Sequence, residues 1–495
     1  MTVYFLYLRR ILILKLEKYR DIEKHSIYYE EGDSVMIDAD TIVAISTPPG
    51  EGGIGIVRMS GDNSIDIVKK IFKLANGKKI EDIEDRHFYY GKIENDSGEL
   101  LDEVLMVCMR GPKSYTREDI VEIHCHGGII PIRKILELTI SQGARLAEPG
   151  EFTKRAFLNG RLDLVQAEAV ADLIRAKSDE AARSSLRQMQ GSLSQEFRDI
   201  RERLLNLIAR IEVTIDYPEE DIEDIVREEL VTTLNEILLD MKKLIESANT
   251  GKLIRQGIKT VIVGKPNVGK SSLLNALVRE NRAIVTHIPG TTRDIIEEYI
   301  TIKGIQVNII DTAGIRETED EVEKIGVERT KESIEEADLV IAMFDASIPF
   351  EREDEEILNR VKGKKVLNIV NKTDLPILFD IEKIRDIAPN SDIIEISLLE
   401  DEGIEDIEEY IYDMVYSGKV TASDQAIVTN IRHESLLKSS YNHLLEAKEA
   451  LDDGVPLDLI SIDIRSSLND IGVITGEFVT DDIVDRIFSE FCVGK

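Results

Sequence analysis

The chain has 495 residues, enough for about three domains that each bury a core. Its 95 Asp and Glu outnumber 62 Lys and Arg. The resulting net charge of -33 argues against a protein that coats nucleic acid or anionic membranes through bulk charge. Cys108, Cys125 and Cys492 are too few for a disulfide scaffold, so they favour a reducing cytoplasm.

Residues 1–35 differ from the remainder of the chain. Two short apolar runs flank Arg9 and Arg10, so the stretch is too short and too charged to span a membrane, and it lacks a signal-peptide cleavage site. The codons for Glu30 to Asp33 can spell a purine-rich ribosome-binding sequence just before Met36. We therefore hypothesise that translation starts at Met36 and that the native protein lacks residues 1–35.

Residues 36–153 alternate strand-like and helix-like runs, which predicts an α+β domain. The apolar spacing from Ser64 to Phe72 is that of a helix. The predicted strands are 41–45, 54–57, 104–109 and 119–124. From 154 to 255 apolar residues recur at helical spacing with few Gly or Pro, which predicts a helical domain.

Over 256–419 the pattern changes to near-continuous apolar strands separated by helices. The predicted strands are 260–263, 307–310, 339–343 and 365–370. Because such strands are buried on both faces, they predict a parallel sheet between two layers of helices. The helical pattern returns over 420–495, so the α/β domain is predicted to be an insertion into the helical one.

A phosphate-binding loop is predicted at residues 264–271, which read GKPNVGKS, follow a strand and open a helix near Ser272. Backbone N–H groups of such a loop converge on phosphate oxygens, and the helix N-terminus favours negative charge. Lys270 would neutralise the β- and γ-phosphates, and Ser271 would bind Mg²⁺. The GTP-binding residues predicted here are Asn267, Val268, Gly269, Lys270, Ser271 and Ser272.

Two further motifs follow later strands of this domain. In Asp311-Thr312-Ala313-Gly314, the Asp can hold the Mg²⁺ shell and the Gly N–H can sense the γ-phosphate. In Asn371-Lys372-Thr373-Asp374, the last carboxylate can accept N1–H and the amine of guanine, which favours GTP over ATP. Ser397 lies where a base-contacting loop is expected. Together the motifs predict a P-loop GTPase (Ras-like) domain.

The segment between the first two motifs supplies further predicted contacts. Thr286, Thr291 and Thr292 are predicted to bind GTP, and the Thr292 hydroxyl is our choice for Mg²⁺. No Gln follows Gly314 to orient water, so hydrolysis needs another group. The residue pattern does not choose among the acidic candidates downstream, which are Glu317, Glu319, Asp320, Glu321 and Glu323.

Several stretches resemble the MnmE (TrmE) family, bacterial GTPases that modify the wobble uridine of tRNA. They are Thr47–Gly55, Pro149–Arg161, Asp311–Thr318 with Glu323–Gly326, and Phe491–Lys495. The resemblance covers residues 38–495 and therefore implies a role for each predicted domain. It implies a tetrahydrofolate-binding and dimerisation domain over 36–153, helical parts over 154–255 and 420–495, and an inserted G domain over 256–419.

The resemblance also implies an activity and partners. A homodimer would join the flavin-containing MnmG subunit in a heterotetramer, with FAD on that partner alone. Together they would install an aminomethyl or carboxymethylaminomethyl group at C5 of the wobble uridine of certain tRNAs. The one-carbon unit would come from 5-formyl- or methylene-tetrahydrofolate. GTP hydrolysis would depend on K⁺-driven dimerisation of the G domains.

Matching positions carry the family's site residues over to this chain. For K⁺ they are Asn267, Thr286, Ile288 and Thr291, and Glu323 takes the catalytic, water-orienting position. For folate they are Arg58, Glu122, Arg161 and Lys495. Guanidinium or ammonium groups suit glutamate or formyl oxygens, and a carboxylate suits the donor edge of a pterin. Cys492 either packs among apolar neighbours or serves as a redox or folate-site thiol.

His124-Cys125-His126 could suggest a metal site, but adjacent strand residues point to opposite faces, so we expect none there. The first alternative function is a ribosome-assembly GTPase switch that binds RNA without modifying it, and the second is a folate enzyme that works alone, with GTP merely structural. Residues 151–210 hold eleven Lys and Arg against nine Asp and Glu, a mildly basic island in an acidic chain. We therefore expect the partner to supply most contacts to tRNA phosphates.

Overall fold

The computed structural model describes residues 40–48, 50–76, 82–216, 223–280, 297–310, 332–389, 391–416 and 426–495. They form two compact units. The first comprises the residues up to Ile174, Leu186–Lys242 and Ser435–Lys495, and the second comprises Arg175–Ser185 and Lys243–Glu434. Within these ranges, no helix has the length and apolar character that crossing a membrane requires. The predicted extension and Met36 lie outside the described residues.

The first unit contains a seven-stranded sheet with the order β3-β4-β5-β6-β2-β1-β7. All neighbours are antiparallel except β1 and β7, which are parallel. The strands are β1 (Ile42–Ile45), β2 (Gly52–Ser60), β3 (Phe72–Leu74), β4 (Phe88–Glu94), β5 (Leu100–Met109), β6 (Ile120–Gly127) and β7 (Arg145–Leu146). With the helices described next, this sheet confirms the predicted α+β class.

The two faces of this sheet have different surroundings. On one face, α1 (Ser64–Ile71) and α2 (Ile129–Ser141) bury the apolar side chains of the central strands in a single core. On the other face, α3 (Glu151–Leu158) lays Phe152 against Ile42 and Ala44. Beside it, β4 and β5 leave Phe88, Tyr90 and Leu105 exposed by 52%, 55% and 44%. This second face therefore combines a covered part and an open apolar part.

Long helices follow the sheet, as the apolar spacing predicts. They are α4 (Leu164–Arg175), α5 (Asp179–Met189), α6 (Ser192–Asp216) and α7 (Glu223–Gln256). The buried stripe of α6 includes Leu204, Leu207 and Ile211, which recur at the spacing that places side chains on one helix face. Arg203 on α6 donates to Asp240 on α7 at 2.9 Å, which adds a polar contact between these two helices.

The second unit contains a six-stranded sheet with the order β13-β12-β11-β8-β10-β9. The strands are β8 (Ile258–Gly264), β9 (Glu297–Ile302), β10 (Ile305–Ile310), β11 (Leu339–Asp345), β12 (Val366–Asn371) and β13 (Asp392–Ile396). The four predicted strands are parallel, as expected, and β13 extends them in parallel, but β9 is antiparallel to β10. Lys303 and Gly304, both at positive φ, form a two-residue hairpin turn that permits only antiparallel pairing.

Helices cover both faces of this sheet, which confirms the predicted α/β layers. On one face lie α8 (Lys270–Glu280) and α11 (Ile404–Tyr416), and on the other lie α9 (Arg352–Arg360) and α10 (Glu382–Ile387). Because β8, β11 and β12 are apolar on both faces, each face builds its own core.

The second unit also includes a short segment that the sequence assigns to the helical stretch. Residues 175–185 contribute Ala181 to the core beneath β9 and β10. The Glu180 N–H donates to the Gly304 carbonyl at 3.3 Å. The Tyr416 hydroxyl donates to Glu180 Oε2 at 3.2 Å, and the Lys177 ammonium lies 3.7 Å from the centre of the Tyr299 ring. This segment is therefore an integral part of the second unit.

The chain closes with α12 (Ile431–Asp452), α13 (Leu457–Thr475) and α14 (Asp481–Ser489). Within the first unit, α6 packs along α13. The buried hydroxyls of Ser440 and Ser467 lie 2.7 Å apart and join α12 to α13. The last residues after α14 return to the sheet, where the Ser46 hydroxyl donates to the Gly494 carbonyl at 3.2 Å. The C-terminus is thereby fixed beside β1.

Candidate functional site

The loop between β8 and α8 has the tight curvature that a phosphate-binding loop requires. Asn267 and Gly269 adopt positive φ values of 64° and 108°. A Cβ on Gly264 would lie 2.6 Å from the Met343 carbonyl oxygen, and one on Gly269 would lie 2.4 Å from the Asn371 amide nitrogen. Both glycines therefore permit a close backbone approach that a larger residue would prevent.

The Lys270 ammonium is held by backbone carbonyls. It donates to the carbonyl oxygens of Gly264 at 2.8 Å and Lys265 at 2.7 Å. Burial lowers the pKa of this ammonium below its usual value, since removal from water disfavours the charged form. Ser271 and Ser272 follow it on the first turn of α8 and are exposed. An anion bound at this helix N-terminus would compensate the positive charge of Lys270 and the positive end of the helix dipole.

At the other end of the candidate site, two loops meet at Asn371. Its amide donates to the Val268 carbonyl at 2.9 Å, and its oxygen accepts from the Leu398 N–H at 3.3 Å. The buried Ser397 hydroxyl donates to Asp374 Oδ1 at 2.7 Å. The exposed Asp374 carboxylate is thereby held by the loop that Asn371 joins to the phosphate loop. The structure thus brings the predicted base-contacting groups and the predicted phosphate-contacting groups together.

Asp345, at the end of β11, also belongs to this site. Its Oδ2 accepts from the Lys372 ammonium at 2.5 Å, and its Oδ1 accepts from the Ser347 hydroxyl at 2.6 Å. Burial alone would raise the pKa of Asp345, but these hydrogen bonds outweigh it and lower the pKa below its usual value. The ion pair thus restrains Lys372, whose backbone adopts a positive φ of 69°. Sequence reasoning did not identify Asp345.

The remaining predicted nucleotide and metal residues lie outside the described residues. They are Thr286, Ile288, Thr291, Thr292, Asp311, Thr312, Ala313, Gly314 and Glu323. The alternatives Glu317, Glu319, Asp320 and Glu321 lie there too. Their roles stay predictions.

A second candidate site lies on the sheet of the first unit. Arg58 on β2 and Glu122 on β6 are direct partners across the strands, and the two side chains form an ion pair at 2.7 Å. The same guanidinium donates to the Gly494 carbonyl at 3.4 Å and lies 5.9 Å from the centre of the Phe152 ring. Lys495 follows Gly494 directly. Two of the four predicted folate residues therefore meet here, and the chain segment that carries Lys495 passes beside them.

Arg161 reaches the same region through Tyr115. Its guanidinium donates to the Tyr115 carbonyl at 3.2 Å and stacks 4.6 Å from the centre of the Tyr115 ring. Burial raises the pKa of Tyr115, whose hydroxyl lies 2.9 Å from that of Thr153, whereas the charges of Arg161 and Arg58 oppose the rise. Both guanidinium groups are therefore close enough to Tyr115 to oppose the rise of its pKa. Tyr115 is a further residue that sequence reasoning missed.

The cysteine and histidine residues have separate surroundings. His124 Nε2 lies 3.1 Å from Glu122 Oε2, and His126 Nδ1 lies 2.7 Å from Asp102 Oδ1. Cys125 is buried between them in the chain, and burial raises the pKa of its thiol to about 11. The expected alternation of faces is thus confirmed. Cys492 is exposed, so the interpretation that it packs among apolar neighbours is wrong.

The missed residues carry weak signals in the sequence. Asp345 ends a strand directly beside Asn371, so a predicted register of the two strands would have placed it at the site. Tyr115 matches no motif, since its contacts with Thr153 and Arg161 join residues that are far apart in the sequence.

Comparisons with known proteins cover nearly the whole described chain. A family model described as the MnmE helical domain matches residues 164–492, and one described as the GTP-binding protein TrmE N-terminus matches residues 41–161. The tRNA modification GTPase MnmE of Alkaliphilus oremlandii is 51% identical over 457 residues, which is 92% of this chain and 99% of that protein. The namesake from Clostridioides difficile is 51% identical over 460 residues, covering 93% and 100%.

Among solved structures, a variant of Era from Aquifex aeolicus bound to GDP and aluminium fluoride is 30% identical. The match covers 38% of this chain and 66% of that one. Its TM-score of 0.25 is too low to support a structural argument. The two family models and the near-complete alignments decide the assignment instead. On these grounds the chain belongs to the MnmE family of tRNA modification GTPases.

Proposed function

We propose that this protein hydrolyses GTP and acts in tRNA modification. One observation supports the proposal: Asn371 hydrogen-bonds both the loop that carries Lys270 and the loop of Ser397 and Leu398, and the Ser397 hydroxyl in turn holds the Asp374 carboxylate. The Lys270 ammonium suits phosphates, and the Asp374 carboxylate suits the donor edge of guanine. The family assignment then supplies the tRNA modification that hydrolysis serves. The alternative of a ribosome-assembly switch does not account for the match of residues 41–161 to the TrmE N-terminus.

The hydrolysis mechanism that we propose uses Mg²⁺ and K⁺. Ser271 and Thr292 would bind Mg²⁺, and Asn267, Thr286, Ile288 and Thr291 would bind K⁺. Asn267 is exposed on the phosphate loop, which leaves its amide oxygen accessible to a cation. A cation there would stabilise developing charge as an arginine does in other GTPases, and Glu323 would orient the attacking water.

The K⁺ mechanism has a direct test. GTP turnover is measured in K⁺ and in Na⁺ at equal ionic strength, and we expect faster turnover in K⁺. Glu323→Ala should keep GTP binding and lose most hydrolysis. Equal rates in the two salts would overturn the cation mechanism, and near-normal turnover of the Glu323 variant would overturn the role of that carboxylate.

We further propose that the first unit binds 5-formyl- or methylene-tetrahydrofolate. The paired Arg58 and Glu122 offer donors and an acceptor side by side, which fits the mixed polar edge of a pterin. The Arg161 guanidinium stacks on Tyr115 and, among the described residues, hydrogen-bonds only a backbone carbonyl, so it suits a carboxylate of the glutamate tail. Lys495 would add a second cation, and the exposed Cys492 thiol lies near it in the chain. The folate would supply the one-carbon unit.

A homodimer is also proposed for the first unit. Phe88, Tyr90 and Leu105 form an exposed apolar area on the sheet face that carries Glu122 and His124. Exposed apolar areas of this kind mark interfaces. A second copy of this chain would cover it. The oligomeric state in solution, measured by light scattering for the native chain and for Tyr90→Glu, tests this arrangement.

The complete reaction would require the flavin-containing MnmG partner, with FAD bound there, in a heterotetramer that acts on tRNA. The acidic balance of the chain supports a partner that supplies most phosphate contacts. The three free cysteines fit a cytoplasmic location. Analysis of tRNA nucleosides from a deletion strain tests the proposal. We expect the C5 modification of the wobble uridine to be lost, and unchanged tRNA would reject it.

A further inference from the structure

A buried ion pair connects the phosphate loop to helix α9. The Lys265 ammonium, in the second position of the loop, donates to Asp354 Oδ2 at 2.8 Å and to Glu351 Oε2 at 2.9 Å. Asp354 is only 1% exposed, and Glu351 is exposed to solvent. The phosphate-loop motif leaves the residue type at position 265 open. The motif therefore does not require the contact between Lys265 and Asp354, which is a feature of this structure.

Asp354 is held rigidly on its own helix. Its Oδ2 also accepts the Glu351 N–H at 2.9 Å, a hydrogen bond at the start of α9. Four residues later, Leu358 anchors α9 in the core of the second unit. A buried carboxylate with two charge-assisted or backbone partners has little freedom to move. Asp354 is thus a fixed point against which the loop can be positioned.

Lys265 passes this restraint to the phosphate-binding lysine. Its side chain is bound by Asp354, and its carbonyl oxygen accepts from the Lys270 ammonium at 2.7 Å. We propose that Asp354 is a positioning residue for Lys270 that acts through Lys265. The two carboxylates neutralise Lys265, so Lys270 remains the cation that faces the phosphates. Loss of Asp354 would free the Lys265 backbone and release one of the two carbonyls that orient Lys270.

The test measures nucleotide affinity and not turnover, because the inference rests on the proposed GTP site. Fluorescent GDP is titrated into the full chain carrying Asp354→Asn, which keeps the shape of the side chain and removes its charge. We expect about a tenfold weaker affinity, which is about 1.4 kcal/mol. Glu355→Gln is the matched control, since it removes an exposed carboxylate from the same helix turn and should leave the affinity unchanged.

A second pair of variants separates positioning from folding. Lys265→Met with Asp354→Asn removes both charges and leaves no unpaired buried ion, so this double variant should fold and still bind GDP about tenfold more weakly. Lys265→Arg keeps the charge and should bind within about twofold of the native chain. Native affinity in the folded double variant would overturn the positioning role. Failure of the native chain to bind GDP would instead overturn the proposed nucleotide site.

Discussion

The two candidate sites hold their cations in different ways. In the nucleotide site, Lys270 donates to backbone carbonyls, so its charge is not neutralised. In the first unit, Arg58 is paired with Glu122, so the pair is close to neutral and offers a donor beside an acceptor. The first arrangement suits phosphate oxygens, and the second suits a ligand with both donors and acceptors along one edge. The partner of a cation thus indicates the class of ligand.

The largest expected effect comes from Lys270→Ala, which removes the cation that is not neutralised. We expect the affinity for GTP to fall at least about 100-fold, because a hydrogen bond to a charged group contributes about 1.5–3 kcal/mol and phosphates accept several. Titration with a fluorescent GTP analogue measures the change. Lys259→Ala serves as control, since this exposed lysine on β8 pairs with Glu336. An affinity close to native would show that the ammonium of Lys270 does not bind the phosphates, and the two sites would then not differ in this way.

Asp374→Asn sharpens the comparison at the base end of the same site. The amide keeps the size of the carboxylate and offers a donor where guanine also offers donors, so GTP affinity should fall about 30-fold. Xanthosine triphosphate, which presents an oxygen in place of the amine, should bind the variant better than GTP does. Competition between the two nucleotides measures the preference. An unchanged preference for GTP would show that Asp374 does not read the base.

Glu122→Gln tests the neutral pair of the first unit. Loss of the carboxylate charge should weaken the binding of 5-formyl-tetrahydrofolate about tenfold, since one charge-assisted hydrogen bond is lost. GTP affinity should stay native. Calorimetric titration measures both ligands, and Glu137→Gln on α2 is the control, because its carboxylate is exposed beside Arg133. Unchanged folate affinity would mean that the mixed edge is not the recognition element.

The smallest expected effect concerns the pair of Asp345 and Lys372. Because the native pKa of Asp345 lies below its usual 3.8, the pair stabilises the fold above that pH, and the contribution is lost as pH falls through the native pKa. Asp345→Asn should lower the free energy of unfolding at pH 7 by about 1 kcal/mol, with the partial exposure of Lys372 taken into account. Urea unfolding at pH 7 and pH 3 measures it, with exposed Asp380→Asn as control. A difference that does not decrease between pH 7 and pH 3 would contradict the ionic origin.

Much of the nucleotide site was predictable, because its groups follow strands that end at one edge of a parallel sheet. Gly264, Asn371 and Ser397 each occupy such a position in chain order. The antiparallel strand β9 was not predicted, because the two-residue turn at Lys303 and Gly304 cannot be distinguished in the sequence from other short polar stretches. The predicted domain boundaries and the metal ligands outside the described residues stay predictions.

Other contacts could not be predicted because they join distant parts of the chain. Arg58 and Glu122 are 64 positions apart, and only the family resemblance pointed to both. Lys265 and Asp354 are 89 positions apart. Asp354 is one of 95 acidic residues, and burial, which distinguishes it, follows from the packing of α9 and not from its neighbours in sequence.

The segment Arg175–Ser185 has a consequence for dividing the protein. Residues 256–419, expressed alone as a G domain, would lack buried side chains that belong to the core of the second unit. These are Ala181, Leu253, Ile254 and Ile427. Their loss would expose the apolar undersides of β9 and β10 to water and favour aggregation. A fragment meant for autonomous folding should therefore retain Lys243–Glu434 and carry Arg175–Ser185 as a tethered peptide.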